Sequence, residues 1–134
     1  HICMTIKLLM VDDVSDTRNK LKRSLKRIDP QYEIVEATGG KECLKVIKDV
    51  NPDIVLMDVV MPDLDGFQTT MSLREDPETR DTLVVFLTVR GDEMSRRIGK
   101  MIGQGYILKP INPEDIDYEI KSVLTEREEE RNSF

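Results

Sequence analysis

The sequence is poor in the residues that most often carry catalysis and metal binding. Its single histidine is His1, so a mechanism that needs an internal imidazole base, a histidine zinc site or a phosphohistidine lacks its main reagent. Cys3 and Cys43 are the two cysteines, and Cys43 shares a helical stripe with Val46 and Ile47. We therefore interpret Cys43 as a small core residue rather than a redox or metal group.

Basic charge and long apolar runs are also scarce. The 134 residues include 20 Lys and Arg against 26 Asp and Glu, for a net charge of -6. Phosphate neutralisation requires a basic surface, so we expect no direct binding of nucleic acid. The longest apolar stretches fall far short of the roughly 20 residues that cross a bilayer, and no charged-then-apolar leader opens the sequence. We expect a cytoplasmic protein without a membrane segment.

Length and composition suit one compact domain, since hydrophobic residues make up 39% and charged residues 34% of the chain. We interpret residues 1–5 as a disordered leader or a cloning remnant and residues 6–124 as the domain. Residues 125–134 are strongly charged. Two interpretations of them stay open, a solvated helix end and the start of a linker helix to a further domain.

Four short apolar runs each stop on a polar or charged residue. They are Leu8–Val11 before Asp12 and Asp13, Ile54–Met57 before Asp58, Leu83–Leu87 before Thr88, and Tyr106–Leu108 before Lys109. Runs of this length are typical of strands buried on both faces of a parallel sheet. Sites in such sheets lie beyond the carboxyl ends of the strands, so we expect these polar side chains to meet at one edge.

Segments of helical periodicity alternate with the strands, and Glu33–Ala37 adds a shorter strand after the first helix. The expected helices lie near residues 16–28, 40–50, 66–74, 92–102 and 113–124. This alternation predicts an α/β fold, a doubly wound flavodoxin-like (βα)5 arrangement whose five-stranded parallel sheet has the order 2-1-3-4-5. Gly99 inside the fourth helix predicts that this helix is short or labile.

The three aspartates predicted at one edge suggest a metal site and a chemistry. Asp12, Asp13 and Asp58 would repel one another, so they either raise their pKa values or recruit a cation. Oxygen ligands with partial hydration favour a hard ion such as Mg²⁺. Asp58 is ionised at neutral pH and could attack phosphorus without a general base. Mg²⁺, Lys109 and the Thr88 hydroxyl suit the charge neutralisation that phosphoryl transfer requires.

Four motifs carry a resemblance to a known family. They are Val11-Asp12-Asp13, the run Met57-Asp58-Val59-Val60-Met61-Pro62-Asp63-Leu64-Asp65-Gly66, Leu87-Thr88, and Lys109-Pro110. In this order and on these elements they resemble the signature of the receiver (CheY-like) domain of two-component response regulators. The resemblance extends from about Ile6 to Leu124.

The resemblance implies a role for each acidic residue of the site. Asp58 would be the phosphoacceptor. Asp13 and Asp58 would bind Mg²⁺ directly, together with the main-chain carbonyl of Val60, and Asp12 would assist through water. Lys109 would contact the phosphoryl group.

The resemblance also implies a conformational switch. Thr88 and Tyr106 match the family's switch pair, in which the hydroxyl moves toward the phosphoryl oxygen and the aromatic ring turns inward. An ordinary half-buried strand aromatic is the alternative for Tyr106. The Lys109–Pro110 peptide bond is expected to be cis, as in family members.

By resemblance, the phosphoryl donor is a histidine kinase or a histidine phosphotransfer protein of a phosphorelay. The domain would be a signalling phosphoacceptor that catalyses only its own phosphorylation and dephosphorylation, and not a turnover enzyme. An output domain or effector would contact the fourth helix, fifth strand and fifth helix, and a phosphorylation-linked homodimer is an alternative there. The first helix carries a basic surface that either steers the donor or is simply solvated. It comprises Arg18, Lys20, Lys22, Arg23, Lys26 and Arg27.

Two other classes of protein compete with this interpretation. An aspartyl-phosphate phosphohydrolase of the haloacid dehalogenase type also uses a strand-end aspartate and Mg²⁺, but its second acidic residue would fall at position 60, where this chain has Val60. A nucleotide-binding flavodoxin-like module needs a glycine-rich phosphate loop after the first strand, where this chain has Asp12 and Asp13.

Overall fold

The computed structural model describes residues 5–133. The leader expected at residues 1–5 therefore lies, apart from Thr5, outside the described residues. Strands and helices alternate strictly along the chain. They are β1 (Ile6–Val11), α1 (Ser15–Ile28), β2 (Tyr32–Ala37), α2 (Gly40–Val50), β3 (Ile54–Met57), α3 (Gly66–Glu75), β4 (Val84–Thr88), α4 (Glu93–Ile102), β5 (Gly105–Leu108) and α5 (Pro113–Asn132). The predicted alternation is confirmed.

The five strands form one parallel sheet in the order β2-β1-β3-β4-β5, as predicted. The chain reverses its direction of winding at β1, whose two neighbours are β2 and β3. Val11 pairs with Met57 across the β1–β3 ladder, so Asp12 and Asp58 both follow directly at the carboxyl edge. This is the position where open α/β sheets place their sites.

Alternate residues of the central strands face two separate cores. Leu8 and Met10 of β1 belong to the core that α1 and α5 cover, whereas Leu9 and Val11 belong to the core that α2 and α3 cover. Cys43 of α2 is fully buried in the second core, and burial raises the pKa of its thiol to about 12. Cys43 is therefore the packing residue that the sequence predicted.

The strand ends differ slightly from those expected. Thr88 is the last residue of β4 and not the first residue after it, because Thr88 pairs with Leu108 and its carbonyl accepts a hydrogen bond from the Lys109 N–H. Gly105 joins β5 through its pairing with Val85. Lys109 thus follows directly on the last paired residue of β5, as predicted.

Gly99 has a specific packing role in the ten-residue helix α4. A Cβ at residue 99 would overlap the Tyr106 ring, so glycine lets β5 present this ring directly against the helix. Tyr106 also stacks on Phe67 of α3, with ring centroids 6.5 Å apart at 22°. The glycine that predicted a labile helix is thus the residue that lets α4 pack directly against the Tyr106 ring.

Helix α5 is the longest helix and continues through the charged segment. Its buried residues are Ile116, Ile120 and Val123, and the helix then runs on to Asn132. The Arg127 guanidinium donates a hydrogen bond of 3.0 Å to the Asp81 carbonyl. Among residues 5–133, no helix is both long and apolar enough to cross a membrane.

We expect Gly99→Ala to lower the free energy of unfolding by about 1–3 kcal/mol through overpacking against Tyr106. Helix propensity alone would favour alanine by about 1 kcal/mol. In a Tyr106→Ala background the overlap is gone, and Gly99→Ala should then raise the free energy of unfolding. Urea unfolding followed by circular dichroism measures both differences. A loss of equal size in the two backgrounds would contradict this packing explanation.

Candidate functional site

The three predicted aspartates meet at the carboxyl edge of the sheet. Asp12, Asp13 and Asp58 each place a carboxylate oxygen within 4.8 Å of the others. Asp12 and Asp58 are buried, with 6% and 8% of their surface exposed, whereas Asp13 is exposed. The backbone holds them in place because the Asp58 N–H donates to the Val11 carbonyl at 2.9 Å, which extends the β1–β3 ladder by one bond.

Lys109 reaches this cluster from β5, beyond β4. Its Nζ lies 3.3 Å from Asp12 Oδ2 and 3.4 Å from Asp58 Oδ2. The Lys109 N–H donates to the Thr88 carbonyl at 2.8 Å, and the Lys109–Pro110 peptide bond is cis, as expected. The predicted convergence of residues from β1, β3 and β5 at one site is therefore present.

The charges of the site do not balance. Asp12, Asp13 and Asp58 contribute three carboxylates, and Lys109 contributes one ammonium. Burial raises the pKa of the Asp58 carboxyl, and the charge of Lys109 only partly opposes this effect. A group of several carboxylates with one exposed member fits a hydrated, hard divalent cation. The residues present therefore fit Mg²⁺.

The loop after β3 turns closely around Asp58. The Val60 N–H donates to Asp58 Oδ1 at 3.3 Å, and the Gly66 N–H donates to the Val59 carbonyl at 2.8 Å. A Cβ at residue 66 would overlap the main-chain carbonyl oxygen of Asp58, so this turn requires glycine. The Val60 side chain is 50% exposed beside the site. The proposed ligation by the Val60 carbonyl stays a prediction.

Thr88 and Tyr106 are connected through one residue of the β4–α4 loop. The Arg90 N–H donates to the buried Thr88 Oγ1 at 3.2 Å, and the Tyr106 hydroxyl donates to the Arg90 carbonyl at 2.7 Å. Burial raises the pKa of the Tyr106 phenol. The two residues predicted as a switch pair are thus joined by the backbone of Arg90, a contact that sequence spacing does not reveal.

Asp63 has a role that the sequence analysis did not identify. Helix α2 begins after Gly39, which has no side chain to cap it, and the Asp63 carboxylate accepts from the N–H groups of Gly40 at 3.3 Å and Lys41 at 3.0 Å. The Lys41 bond is the main cause that lowers the pKa of Asp63. The β3–α3 loop is therefore attached to α2. A glycine at the start of a helix is the signal that a cap must come from elsewhere.

The basic surface predicted on α1 is partly engaged in the fold. Arg18 and Lys22 contact Glu36 on β2 at 3.0 and 3.4 Å. Lys26 donates to the main-chain carbonyls of Pro30 and Tyr32 at 3.2 and 2.8 Å. The remaining members are exposed, and they are Lys20, Arg23 and Arg27. The charges available to a partner are therefore fewer than the sequence predicted.

Known proteins match this chain in sequence and in fold. The sequence model of the family described as the response regulator receiver domain matches residues 8–121 of this chain. The protein named probable transcriptional regulator ycf27 of Pyropia yezoensis is 36% identical over 119 residues, which are 88% of this chain and 47% of that protein. Transcriptional regulatory protein SrrA of Staphylococcus aureus is 34% identical over 122 residues, 90% of this chain and 48% of that protein.

A solved structure shows the same architecture. Chemotaxis protein CheY4 of Vibrio cholerae superposes with a TM-score of 0.80 at 28% identity, covering 90% of this chain and 99% of that chain. The present chain spans about half the length of the curated relatives it matches. These similarities do not support the rival interpretation as a haloacid dehalogenase-type phosphohydrolase. The order of the strands, the acidic cluster at their carboxyl ends and the match over residues 8–121 place this chain in the response regulator receiver domain family of two-component systems.

Proposed function

We propose that Asp58 is the phosphoacceptor of this domain, with Mg²⁺ as its cofactor. The observation that carries the proposal is the meeting of three carboxylates within 4.8 Å of one another, with the Lys109 ammonium 3.4 Å from Asp58 Oδ2. Such a site holds a nucleophilic oxygen beside fixed positive charge. In-line positioning and charge neutralisation are what phosphoryl transfer chiefly demands of a protein.

The transfer uses a phosphohistidine of a histidine kinase or a histidine phosphotransfer protein. A carboxylate oxygen of Asp58 forms a bond to phosphorus while the phosphorus–nitrogen bond breaks. The electron pair of that bond returns to the donor ring, whose other nitrogen already carries a proton, so that neutral imidazole leaves. Asp58 needs no general base because its nucleophilic form is the ionised one. This explains how a chain whose one histidine is His1 carries out the step.

The surrounding residues divide the task of stabilising charge. Asp13 and Asp58, two members of the carboxylate cluster, would hold Mg²⁺ directly with the Val60 carbonyl, and Asp12 would hold it through water. When bound, Mg²⁺ neutralises negative charge on the transferring group. Lys109 moves its ammonium from Asp58 to the phosphoryl oxygens, a short step from its present distance of 3.4 Å. The domain modifies itself once and does not turn over a substrate.

The modification acts on the face formed by α4, β5 and α5. Phosphorylation replaces the single negative charge of the ionised Asp58 carboxylate with a phosphoryl group of about −1.5 to −2 charge, which attracts the Thr88 hydroxyl and removes it from Arg90. The Arg90 backbone then moves, and the hydroxyl of Tyr106 that it holds moves with it. An output domain or effector that contacts this face would detect the change.

The same face has features that suit a second copy of the domain. Helix α4 exposes Met94 and Met101, at 63% and 79%, beside basic residues such as Arg97, whereas α5 begins with Glu114 and Asp115. A basic helix and an acidic helix on one face are self-complementary about a two-fold axis. A phosphorylation-linked homodimer is therefore our second proposal for the output.

The relatives support a proposal about the position of this domain in a longer protein. We propose that residues 6–124 form the receiver domain and that the charged segment 125–134, of which the structure describes residues 125–133, is the end of α5 or a linker. The relatives are named as transcriptional regulators, so control of transcription by a further domain is the proposed output. The donor kinase implies a cytoplasmic location for the domain.

Acetyl phosphate with Mg²⁺ should add about 80 Da to the protein, the mass of one phosphoryl group, at Asp58. Asp58→Asn should abolish the addition because an amide cannot act as the nucleophile. Asp16→Asn is the matched control, since Asp16 is exposed in the first turn of α1 and lies outside the acidic cluster. Intact-mass and peptide mass spectrometry measure the modification. Equal labelling of wild type and Asp58→Asn would refute the assignment.

Without divalent cations, Asp58→Asn should raise the free energy of unfolding at pH 7. Burial raises the pKa of Asp58 in the folded protein, so the folded state binds more protons than the unfolded state between the two pKa values. The wild type thus loses stability as pH rises through that interval. The difference in the free energy of unfolding between Asp58→Asn and the wild type should therefore shrink as pH falls toward about 4.

Urea unfolding in chelator at several pH values tests this prediction, with Asp16→Asn again as the control. Saturating Mg²⁺ should stabilise the wild type, by about 2.7 kcal/mol at a hundred times the dissociation constant. Mg²⁺ should stabilise Asp58→Asn less than it stabilises the wild type, because the variant lacks one carboxylate of the cluster. If Asp58→Asn is less stable than the wild type at pH 7 in chelator, burial of the ionised Asp58 carboxylate does not destabilise the folded protein, and the prediction is wrong.

A further inference from the structure

Arg18 connects the acidic site to the edge of the sheet. This residue lies in the first turn of α1, and its side chain is 11% exposed. Its Nη1 donates a hydrogen bond of 2.6 Å to the main-chain carbonyl of Asp12, and its Nε donates one of 3.0 Å to Glu36 Oε1 on β2. One guanidinium therefore joins α1, β2 and the loop that carries two of the three aspartates.

Asp12 is fixed on all sides by hydrogen bonds. Its N–H donates to the Ala37 carbonyl at 3.2 Å, its Oδ1 accepts from the Val14 N–H at 2.8 Å, and its Oδ2 lies 3.3 Å from Lys109 Nζ. The bond from Arg18 completes this set at the carbonyl. That carbonyl belongs to the peptide unit whose other half is the nitrogen of Asp13.

Asp13 depends on this peptide unit for its orientation. In the part of the chain that the structure describes, no hydrogen bond or ion pair holds the Asp13 carboxylate, and the residue is exposed. Its place within 4.8 Å of the other two carboxylates therefore follows from the direction of its backbone. A rotation of the Asp12–Asp13 peptide would carry the carboxylate away from the cluster.

We propose that Arg18 is a positioning residue for the magnesium site, and that Glu36 holds it in place. Arg18 fixes the plane of the Asp12–Asp13 peptide and so presents the Asp13 carboxylate to the cation. This inference rests on the proposed function, in which that cluster binds Mg²⁺. Outer residues of this kind commonly change metal affinity 10–100-fold when they are removed.

The arrangement requires arginine and not merely a positive charge. The carbonyl of Asp12 and the carboxylate of Glu36 are bonded at the same time by two nitrogens of one rigid, planar group. Lysine has one flexible ammonium and cannot reproduce this geometry. Arg18→Lys keeps the charge and should still weaken Mg²⁺ binding.

Removal of Arg18 alone would mix two opposite effects. Loss of positioning lowers the affinity for Mg²⁺, whereas loss of a positive charge, with Glu36 left unpaired, raises it. The double variant Arg18→Met, Glu36→Gln removes the guanidinium and the carboxylate together and leaves the net charge unchanged. It isolates the positioning effect.

The control is Lys26→Met. Lys26 also joins α1 to the β2 side of the molecule, through the carbonyls of Pro30 and Tyr32. It lies eight residues beyond Arg18 on the same helix, about 12 Å along the axis, where its charge is largely screened at physiological ionic strength. This substitution should weaken the fold without changing Mg²⁺ affinity.

Calorimetric titration with MgCl₂ measures the affinity of all four proteins, after circular dichroism has shown that each is folded. We expect the double variant to bind Mg²⁺ about tenfold more weakly than the wild type or worse, Arg18→Lys to be intermediate, and Lys26→Met to match the wild type. Should the double variant fail to fold, Arg18→Lys decides alone.

Two negative outcomes have separate meanings. If the wild type takes up Mg²⁺ and both Arg18 variants bind it within twofold of the same affinity, Arg18 is only a brace between α1 and β2, and the inference is wrong. If the wild type takes up no Mg²⁺, the proposed cofactor fails first and the inference fails with it.

Discussion

The site depends on negative charges that the parallel sheet forces together. Backbone pairing places Asp12 and Asp58 directly after two neighbouring central strands, where their carboxylates are buried and lie near that of Asp13. Lys109 supplies one positive charge against three negative ones. Repulsion that the fold cannot relieve by itself is the physical reason for proposing that this edge binds a divalent cation and, beside it, a phosphoryl group.

Long-range hydrogen bonds keep the repelling groups from separating. Arg18 holds the carbonyl of Asp12, Asp63 attaches the β3–α3 loop to the start of α2, and Gly66 allows that loop to turn against the carbonyl of Asp58. Each contact ties one loop of the site to a neighbouring helix or strand. The carboxylates of the site lie on loops or directly before them, but the neighbouring helices and strands to which these loops are attached determine where the carboxylates lie.

The sequence predicted the framework well because its signals are local. Apolar runs that end on Asp12, Asp58 and Lys109 predicted both the strands and the convergence of the site, and the βα alternation predicted the strand order. The roles of Arg18 and Asp63 were not predictable in this way. Each depends on a partner brought near by the finished fold, 18 residues away for Arg18 and Glu36 and 22 or 23 for Asp63 and the start of α2. The packing of Tyr106 on Gly99 was not predictable for the same reason, since Tyr106 belongs to another element.

The Arg90 backbone joins Thr88 at the site to Tyr106 on the face that we propose for output. Its N–H binds the hydroxyl of Thr88 and its carbonyl binds that of Tyr106, so both bonds respond to a movement of this one residue. If a phosphoryl group at Asp58 takes the Thr88 hydroxyl, the Arg90 N–H loses its acceptor and the loop has reason to move. The Tyr106 ring cannot follow without disturbing α4, because Gly99 leaves no gap between them. In the proposed switch, close packing would thus convert the loss of one hydrogen bond into a displacement of α4, the kind of change that a partner could recognise.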